Sequence, residues 1–95
     1  MNNDEITNSK KGIDPNWQLR EQKLYRDFKF KDFGEAMSFV NQVAGAADEA
    51  NHHPDISISY NRVTLELSTH DVGGLSKKDF KLAAKIDKLH GSKNN

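Results

Sequence analysis

Histidines supply the side chains in this chain that are best suited to acid and base chemistry near neutral pH, and three of the four lie close to turns. His52 and His53 precede Pro54, and 16 residues separate His53 from His70. Two short antiparallel strands fit in that interval, and a hairpin of this size brings its two ends together. We therefore expect the three imidazole rings to gather at one edge of the domain, where Asp71 could orient one of them.

Three interpretations of this cluster are open from the residues alone. The histidines could be polar loop residues that close helix and strand ends. They could bind zinc or iron, although the spacing lacks a histidine pair at i,i+3 or i,i+4 and matches no familiar metal motif. They could also exchange protons with a small molecule, because imidazole gains and loses a proton near neutral pH.

The fourth histidine, His90, lies in a different setting. It falls in the last turn of a predicted C-terminal helix, where an imidazolium interacts favourably with the helix dipole. We expect a structural role for His90.

Composition limits the classes of protein to which the chain can belong. Its 95 residues fit one small domain, which is marginally stable alone and gains from pairing with copies of itself. Fourteen Lys plus Arg balance fourteen Asp plus Glu, which argues against nucleic acid or an anionic membrane as partner. The absence of cysteine excludes disulfides, thiolate zinc sites and a cysteine nucleophile. A small-molecule ligand and a homodimer or homotetramer are the expected partners.

The two ends of the chain are predominantly polar. The first residues lack the basic and apolar segments of a secretory signal, and no apolar run approaches the length of a membrane span, so we expect cytoplasmic residence. Residues 1–16 have too little apolar surface to offset their ordering entropy, which predicts a flexible N-terminal tail. Residues 91–95 are predicted to form a flexible C-terminal tail, which leaves a domain of residues 17–90.

The first half of this domain has a strand, strand, helix pattern. Alternating apolar residues from Trp17 onward predict two antiparallel strands joined around residues 21–23. Asp32 then provides an N-cap, and apolar residues at helical spacing predict an amphipathic helix from about 33 to 50.

The second half repeats the pattern. Alternation returns after Pro54 and predicts two strands with a tight turn at Asn61 and Arg62, because Asn tolerates positive φ. Ser76 and Asp79 form a capping box for a closing helix that ends near Gly91. The predicted fold is a two-layer α+β domain of order ββαββα, with a four-stranded antiparallel sheet and helices packed on one face.

Several spaced residues resemble the pterin-4a-carbinolamine dehydratase family, and the resemblance covers nearly the whole domain. The family's pattern has an acidic residue four before His-His-Pro, an aromatic residue six after the proline, a histidine ten further on, and a downstream aspartate. The positions that meet these spacings are Asp48, His52, His53, Pro54, Tyr60, His70 and Asp79. The segment from Leu67 through Thr69-His70-Asp71 to Leu75 also resembles the family.

The resemblance implies dehydration of a 4a-hydroxytetrahydropterin to the quinonoid dihydropterin, with no metal or redox cofactor. It makes His52, His53 and His70 the catalytic and pterin-contacting residues, with His52 or His53 as the acid at the 4a-hydroxyl group. His70 would assist proton transfer or anchor the heterocycle. Asp71 would be the orienting carboxylate.

Three further positions of the family's pattern have expected roles. Asp48 would be a partner one helical turn before His52, and Pro54 would contribute to the substrate site. For Asp79, the third position, we expect only the capping of its own helix, whatever its place in the family's pattern. Two positions depart from the family, because residues 1–16 do not predict the N-terminal helix that members often carry, and Ile56 replaces a common aromatic residue.

Two other functions compete with the enzymatic one. Animal relatives of the family act as dimerisation partners of a transcription factor, so a non-catalytic assembly or dimerisation role is the main alternative. A single-stranded RNA platform on Arg26-Asp27-Phe28-Lys29-Phe30 is a weaker one, because Asp27 and the zero net charge oppose it.

Overall fold

The structure is a computed structural model that describes the backbone of residues 1–93 and the side chains of residues 1–91. In chain order its elements are α1 (Asn3–Lys10), β1 (Gln18–Arg20), β2 (Lys23–Lys29), α2 (Phe33–Ala50), β3 (Asp55–Ser59), β4 (Arg62–Leu67), a short 3₁₀ helix (His70–Val72) and α3 (Lys77–Lys93). The four strands form one antiparallel sheet in the order β1-β2-β4-β3. The predicted α+β fold is confirmed, with α1 as an additional helix.

The core lies between the central strands and the two long helices. Leu24 pairs with Leu67 and Phe28 with Val63 across β2 and β4, so these side chains share one face of the sheet. They are buried together with Phe39 and the other apolar residues that α2 and α3 turn inward. The sheet therefore buries one face, and the helices cover it.

Local signals set the limits of α2. The Asp32 carboxylate accepts a hydrogen bond from the Glu35 N–H at 2.8 Å, which caps the first turn. Asn51 adopts a left-handed conformation with φ of 51°, which ends the helix. The prediction of a helix from about 33 to 50 is confirmed. Within residues 1–93, no helix combines the length and apolar character needed to cross a membrane.

The β3–β4 hairpin differs from the prediction by one residue. Ser59 pairs with Arg62, so the turn consists of Tyr60 and Asn61, and Tyr60 has the positive φ of 51°. The main-chain N–H of Phe30 donates to the Asn61 carbonyl at 2.8 Å, and the Asn61 side chain donates to the Phe30 carbonyl at 2.9 Å. These bonds tie Asn61 to the end of β2 and leave the left-handed position to Tyr60.

The N-terminal segment also differs from the prediction. A flexible tail was expected over residues 1–16, but the structure has α1 there, with a reciprocal capping box in its first turn. Ile13 then joins the buried core, and the Asp14 N–H donates to the Asp87 carboxylate at 2.8 Å. Contacts with distant residues supply the stabilisation that the local composition lacks.

At the other end of the chain, α3 continues past the predicted stop at Gly91 to Lys93. The expected tail of residues 91–95 is therefore helical in its first part, and residues 94 and 95 lie outside the described residues.

Arg26 interrupts the apolar face of β2, and its side chain is only 5% exposed. Its Nη1 donates to the Asp87 carboxylate at 2.8 Å, and the Trp17 indole N–H donates to the same oxygen at 2.7 Å. The Asp14 carboxylate lies 3.6 Å from Nη1. A buried ion pair thus connects β2 and α3 to the segment before β1.

The His90 ring packs against the phenylalanines of the hydrophobic core and does not serve as a charged group for the helix dipole. Its ring centroid is 5.0 Å from that of Phe28, 6.0 Å from that of Phe30 and 5.8 Å from that of Phe39. Burial away from water lowers the pKa of His90, and the nearby positive charge of Arg26 lowers it further. The expectation of a dipole-stabilised imidazolium was wrong, because the last turn packs its ring against the phenylalanines.

Stability is therefore expected to fall as the pH drops below about 6.5, the ordinary pKa of histidine. Below this pH the unfolded chain binds a proton at His90, whereas the folded chain binds that proton only at a lower pH. The negative charges of Asp14 and Asp87 partly oppose the lowering of the His90 pKa. Because part of the ring remains open to water, the slope that this residue contributes is expected to stay well below about 1.4 kcal/mol per pH unit, the limit for one proton. Urea unfolding of wild type and His90→Gln at about pH 7.5 and about pH 5.5 measures it. Equal losses of stability in both proteins on acidification would refute the prediction.

Candidate active site

The chain turn after α2 determines where His52 lies. Asn51 reverses the chain direction, and the His52 N–H donates back to the Ala47 carbonyl at 3.1 Å. This closing bond is the pattern of a left-handed helix cap. It directs the histidine pair away from the helix axis, with Pro54 and β3 following.

His52 reaches a fully buried carboxylate on α3. Its Nε2 lies 2.6 Å from Asp79 Oδ1, while Asp79 Oδ2 accepts the Thr69 hydroxyl at 2.8 Å and the Ser76 N–H at 3.0 Å. The Thr69 and Ser76 hydroxyls lie 2.7 Å apart, so the Ser76 hydroxyl can donate to Thr69. Asp79 therefore caps its own helix, as predicted, and also holds an imidazole.

This network determines which ring nitrogen of His52 carries the proton. An ionised carboxylate only accepts hydrogen bonds, so His52 Nε2 must donate to Asp79. A neutral His52 then presents Nδ1 as a proton acceptor, and a charged His52 presents Nδ1–H as a donor. No side chain or main-chain group of the described residues hydrogen bonds to Nδ1, so this atom is available to a ligand.

His53 pairs with a second carboxylate, and both side chains are exposed. Its Nε2 lies 2.9 Å from Asp48 Oδ1. Asp48 was expected to assist His52, but the reversal at Asn51 brings His53 to it instead. The two adjacent histidines therefore point to different carboxylates.

His70 begins the 3₁₀ helix directly after Thr69 and is exposed. Thr69 forms a bridge with Gly74 and shares Asp79 with His52, so His70 lies next in sequence to the buried network. His70 borders a cavity of about 210 Å³ beside residues 21–23, whereas His52 borders a different one. Convergence of all three rings in one pocket stays a prediction.

Asp79 orients the His52 ring, whereas the expected role of Asp71 as an orienting carboxylate stays a prediction. Asp71 is exposed, and among the side chains described it makes no hydrogen bond to an imidazole. Asp79 instead accepts a hydrogen bond from the His52 ring. Asp79 is one of the positions in the family's spacing. Because it lies 27 positions from His52 in the chain, no local sequence pattern predicts their contact. Pro54 is half-buried between His53 and β3, and its contact with a substrate stays a prediction.

His52 borders a cavity of about 400 Å³ between the end of α2 and the first turns of α3. This volume is in the range of small-molecule sites. Ala46, Ala50 and Leu82 form its apolar wall. A hydrogen-bonded imidazole beside such a cavity can donate a proton to a bound molecule or accept one from it.

Metal binding has no obvious donor set in the part of the chain that the structure describes. No group of three or more His, Asp or Glu side chains is arranged there to hold an ion. His52 and His53 are each paired with a separate carboxylate.

Comparisons of the sequence with a family model and with curated relatives all point to the same protein family. The family model for pterin 4 alpha carbinolamine dehydratase matches residues 1–89. A relative from Picosynechococcus sp., provisionally named a pterin-4-alpha-carbinolamine dehydratase, is 55% identical over 75 residues, which cover 79% of this chain and 82% of the relative. A relative from Sulfolobus acidocaldarius with the same provisional name is 52% identical over 73 residues, which cover 77% of this chain and 80% of that one.

Two solved structures share the fold. A transcriptional coactivator/pterin dehydratase from Brucella melitensis is 34% identical, with a TM-score of 0.88 over 94% of this chain and 96% of that one. A pterin dehydratase-like RuBisCO assembly factor of the alpha-carboxysome is 23% identical, with a TM-score of 0.67 over 80% of this chain and 90% of that one, and this likeness concerns the fold alone. With its family-model match and its identity to these relatives, the chain belongs to the pterin-4a-carbinolamine dehydratase family.

Proposed function

We propose that the protein dehydrates 4a-hydroxytetrahydropterin to quinonoid dihydropterin by histidine acid–base catalysis, and so recycles the reduced pterin cofactor of a hydroxylase. The observation that carries the proposal is the Nε2 hydrogen bond from His52 to buried Asp79 beside a cavity of about 400 Å³. Family membership supplies the substrate class. Pterin is therefore the expected small-molecule partner.

The reaction breaks the bond between C4a and the hydroxyl oxygen. Hydroxide is a poor leaving group, so an acid must protonate it while the N5 lone pair forms the new double bond to C4a. A base then removes the N5 proton, and water is the second product. We assign the acid to His52 Nδ1–H, because Asp79 holds the opposite nitrogen and stabilises the charged ring.

His53 and His70 are the candidates for the base. Both rings are exposed, and His53 is oriented by Asp48 as His52 is by Asp79. An exposed ring can pass the N5 proton on to solvent after each turnover. Pro54 keeps the backbone between His53 and β3 rigid, since its ring fixes φ.

A multiple-turnover assay tests this function. Carbinolamine decay is followed by absorbance at several protein concentrations, all well below that of the substrate. We expect a rate that rises in proportion to the protein. A rate that stays at the uncatalysed value would exclude the enzymatic function.

Self-association is proposed through the edge strand β3. This strand is exposed along its whole length, and Ile56, Ile58 and Tyr60 leave large apolar surfaces uncovered. An unpaired edge of this kind is a template for pairing with a second chain. A homodimer, or a homotetramer built from dimers, would cover it.

Ile58→Lys is accordingly expected to shift the protein toward monomer. A buried ammonium at a subunit contact costs enough to lower the association constant by about tenfold or more. Sedimentation velocity over a dilution series measures the change, with Leu19→Lys on the opposite edge strand as control. Identical sedimentation of the wild type and Ile58→Lys would rule out assembly through β3.

A non-catalytic assembly role is the second candidate function. The described RuBisCO assembly factor has the same fold, and β3 offers an exposed apolar edge for a protein partner. An assembly protein would retain its function in a His52 variant, whereas a dehydratase would not.

A further inference from the structure

Lysines line one side of the cavity that borders His52. Lys78, Lys81 and Lys85 lie at positions i, i+3 and i+7 of α3, which places them on one face of the helix. We name the cavity with these three side chains the lysine groove. Among the described residues that line it, only Glu49 on α2 is a carboxylate, so the groove carries an excess of positive charge on a chain whose net charge is zero.

These ammonium groups make no ion pair with the side chains of residues 1–91. Among the side chains described, no carboxylate lies within 4.0 Å of Lys78, Lys81 or Lys85, although the exposed pair of Lys23 and Glu66 meets that limit at 3.8 Å. All three lysines are exposed at the rim. They can therefore turn toward an anion in the groove without breaking an existing contact.

The groove has a direction relative to His52. Lys78 is adjacent to Asp79, the residue that holds His52, and Lys85 lies seven residues further along α3. At 1.5 Å per residue, this separates the two lysines by about 10 Å along the helix axis. A ligand whose ring reaches His52 can therefore extend a substituent toward Lys81 and Lys85.

We propose that the lysine groove binds an anionic group, such as a phosphate monoester, on the side chain of the pterin substrate. The inference rests on the proposed function, because it places the pterin ring beside His52. The protein is thus selective for pterins with a negatively charged side chain. The apolar wall of Ala46, Ala50 and Leu82 contacts the body of the ligand, and the lysines neutralise its charged end.

Binding is measured with stable oxidised pterins, so the result does not depend on turnover. Pterin fluorescence reports the Kd of a pterin with a neutral hydroxylated side chain and of its phosphate monoester. We expect the phosphate monoester to bind about tenfold more tightly at low salt, since exposed charge pairs make modest contributions that add up in a groove. About 0.5 M salt should remove most of this preference by screening.

Variants assign the preference to the groove. Lys81→Gln with Lys85→Gln should abolish the preference, and Glu49→Gln should increase it by removing the opposing charge. Lys29→Gln with Lys88→Gln removes the same charge from exposed positions outside the groove and should leave the preference intact. Equal Kd values for the two pterins in the wild type would overturn the proposal, as would a preference that survives in the Lys81 and Lys85 variant.

Two further measurements complete the test. One distinguishes a phosphate carried by the pterin from free phosphate, and the other distinguishes failure of the groove proposal from failure of the proposed dehydratase function. Inorganic phosphate at millimolar concentration should displace the phosphorylated pterin and leave the neutral one bound. Phosphate binding with no gain for the phosphorylated pterin would overturn the proposal in favour of a free-anion site. If the protein turns over the carbinolamine but binds the neutral pterin and its phosphate monoester with equal Kd values, only the groove proposal is refuted. If it prefers the phosphate monoester but does not turn over the carbinolamine, only the dehydratase function is refuted.

Discussion

Replacing His52 by alanine is expected to lower kcat/KM for carbinolamine dehydration by about 10² to 10⁴, the usual contribution of a positioned acid or base. The variant removes the ring that Asp79 orients at the cavity, while Asp79 keeps its hydrogen bonds from Thr69 and Ser76. Stopped-flow absorbance of carbinolamine decay measures the loss, and circular dichroism shows that the fold is retained.

The control and the second variant make this result specific. His90→Gln also removes an imidazole, but from the phenylalanine-packed core, and it should retain the wild-type rate. Asp79→Asn should lower kcat with little change in KM and alter the pH–rate profile, because Asn can donate to the ring and no longer stabilises its charged form. Wild-type kcat/KM in folded His52→Ala would contradict the assignment of the acid.

Asp87→Asn is expected to destabilise the fold by about 3 kcal/mol, because it leaves the buried guanidinium of Arg26 without its counter-charge. The estimate is at the lower end for buried pairs, since the Asp87 side chain is 19% exposed. The substitution also weakens the acceptor for the Trp17 indole and for the Asp14 N–H, so the N-terminal segment loses its anchor. Urea unfolding measures the difference.

A double variant identifies the cause of this loss. Arg26→Met combined with Asp87→Asn should be less destabilised than the sum of the two single variants, because no buried charge is left unpaired. Asp55→Asn on the exposed edge strand is the matched control and should change stability by less than about 0.5 kcal/mol. Simple additivity of the Arg26 and Asp87 variants would show that the ion pair is not the source.

Features specified by neighbouring residues could be predicted from the sequence. Asp32 is a local capping signal at the start of α2, and apolar residues at helical spacing indicated its length, so the predicted limits of the helix are correct. Period-two alternation likewise located all four strands. His52 and His53 lie just after the end of α2, in agreement with the predicted end of this helix near residue 50.

Features that depend on contacts between residues far apart in the chain could not be predicted from the sequence. The segment of α1 is polar, and its anchoring comes from Asp14 and Trp17 meeting Asp87 more than 65 residues later in the chain. The contact of His52 with Asp79 spans 27 residues and has no local signal, whereas Asp71 was singled out because it is adjacent to His70. The left-handed turn at Tyr60 similarly reflects the bonds of Asn61 to β2.

The central claim is that Asp79 fixes the His52 ring with Nε2–H toward the carboxylate and Nδ1 toward the ligand. Nitrogen-15 spectra of histidine-labelled protein test it most directly, with His52→Ala assigning the resonances and an oxidised pterin as ligand. We predict that the neutral form of the His52 ring carries its proton on Nε2, and that the Nδ1 resonance shifts when the pterin binds. A proton on Nδ1 in the neutral ring, or an Nδ1 resonance that saturating pterin leaves unchanged, would contradict the account.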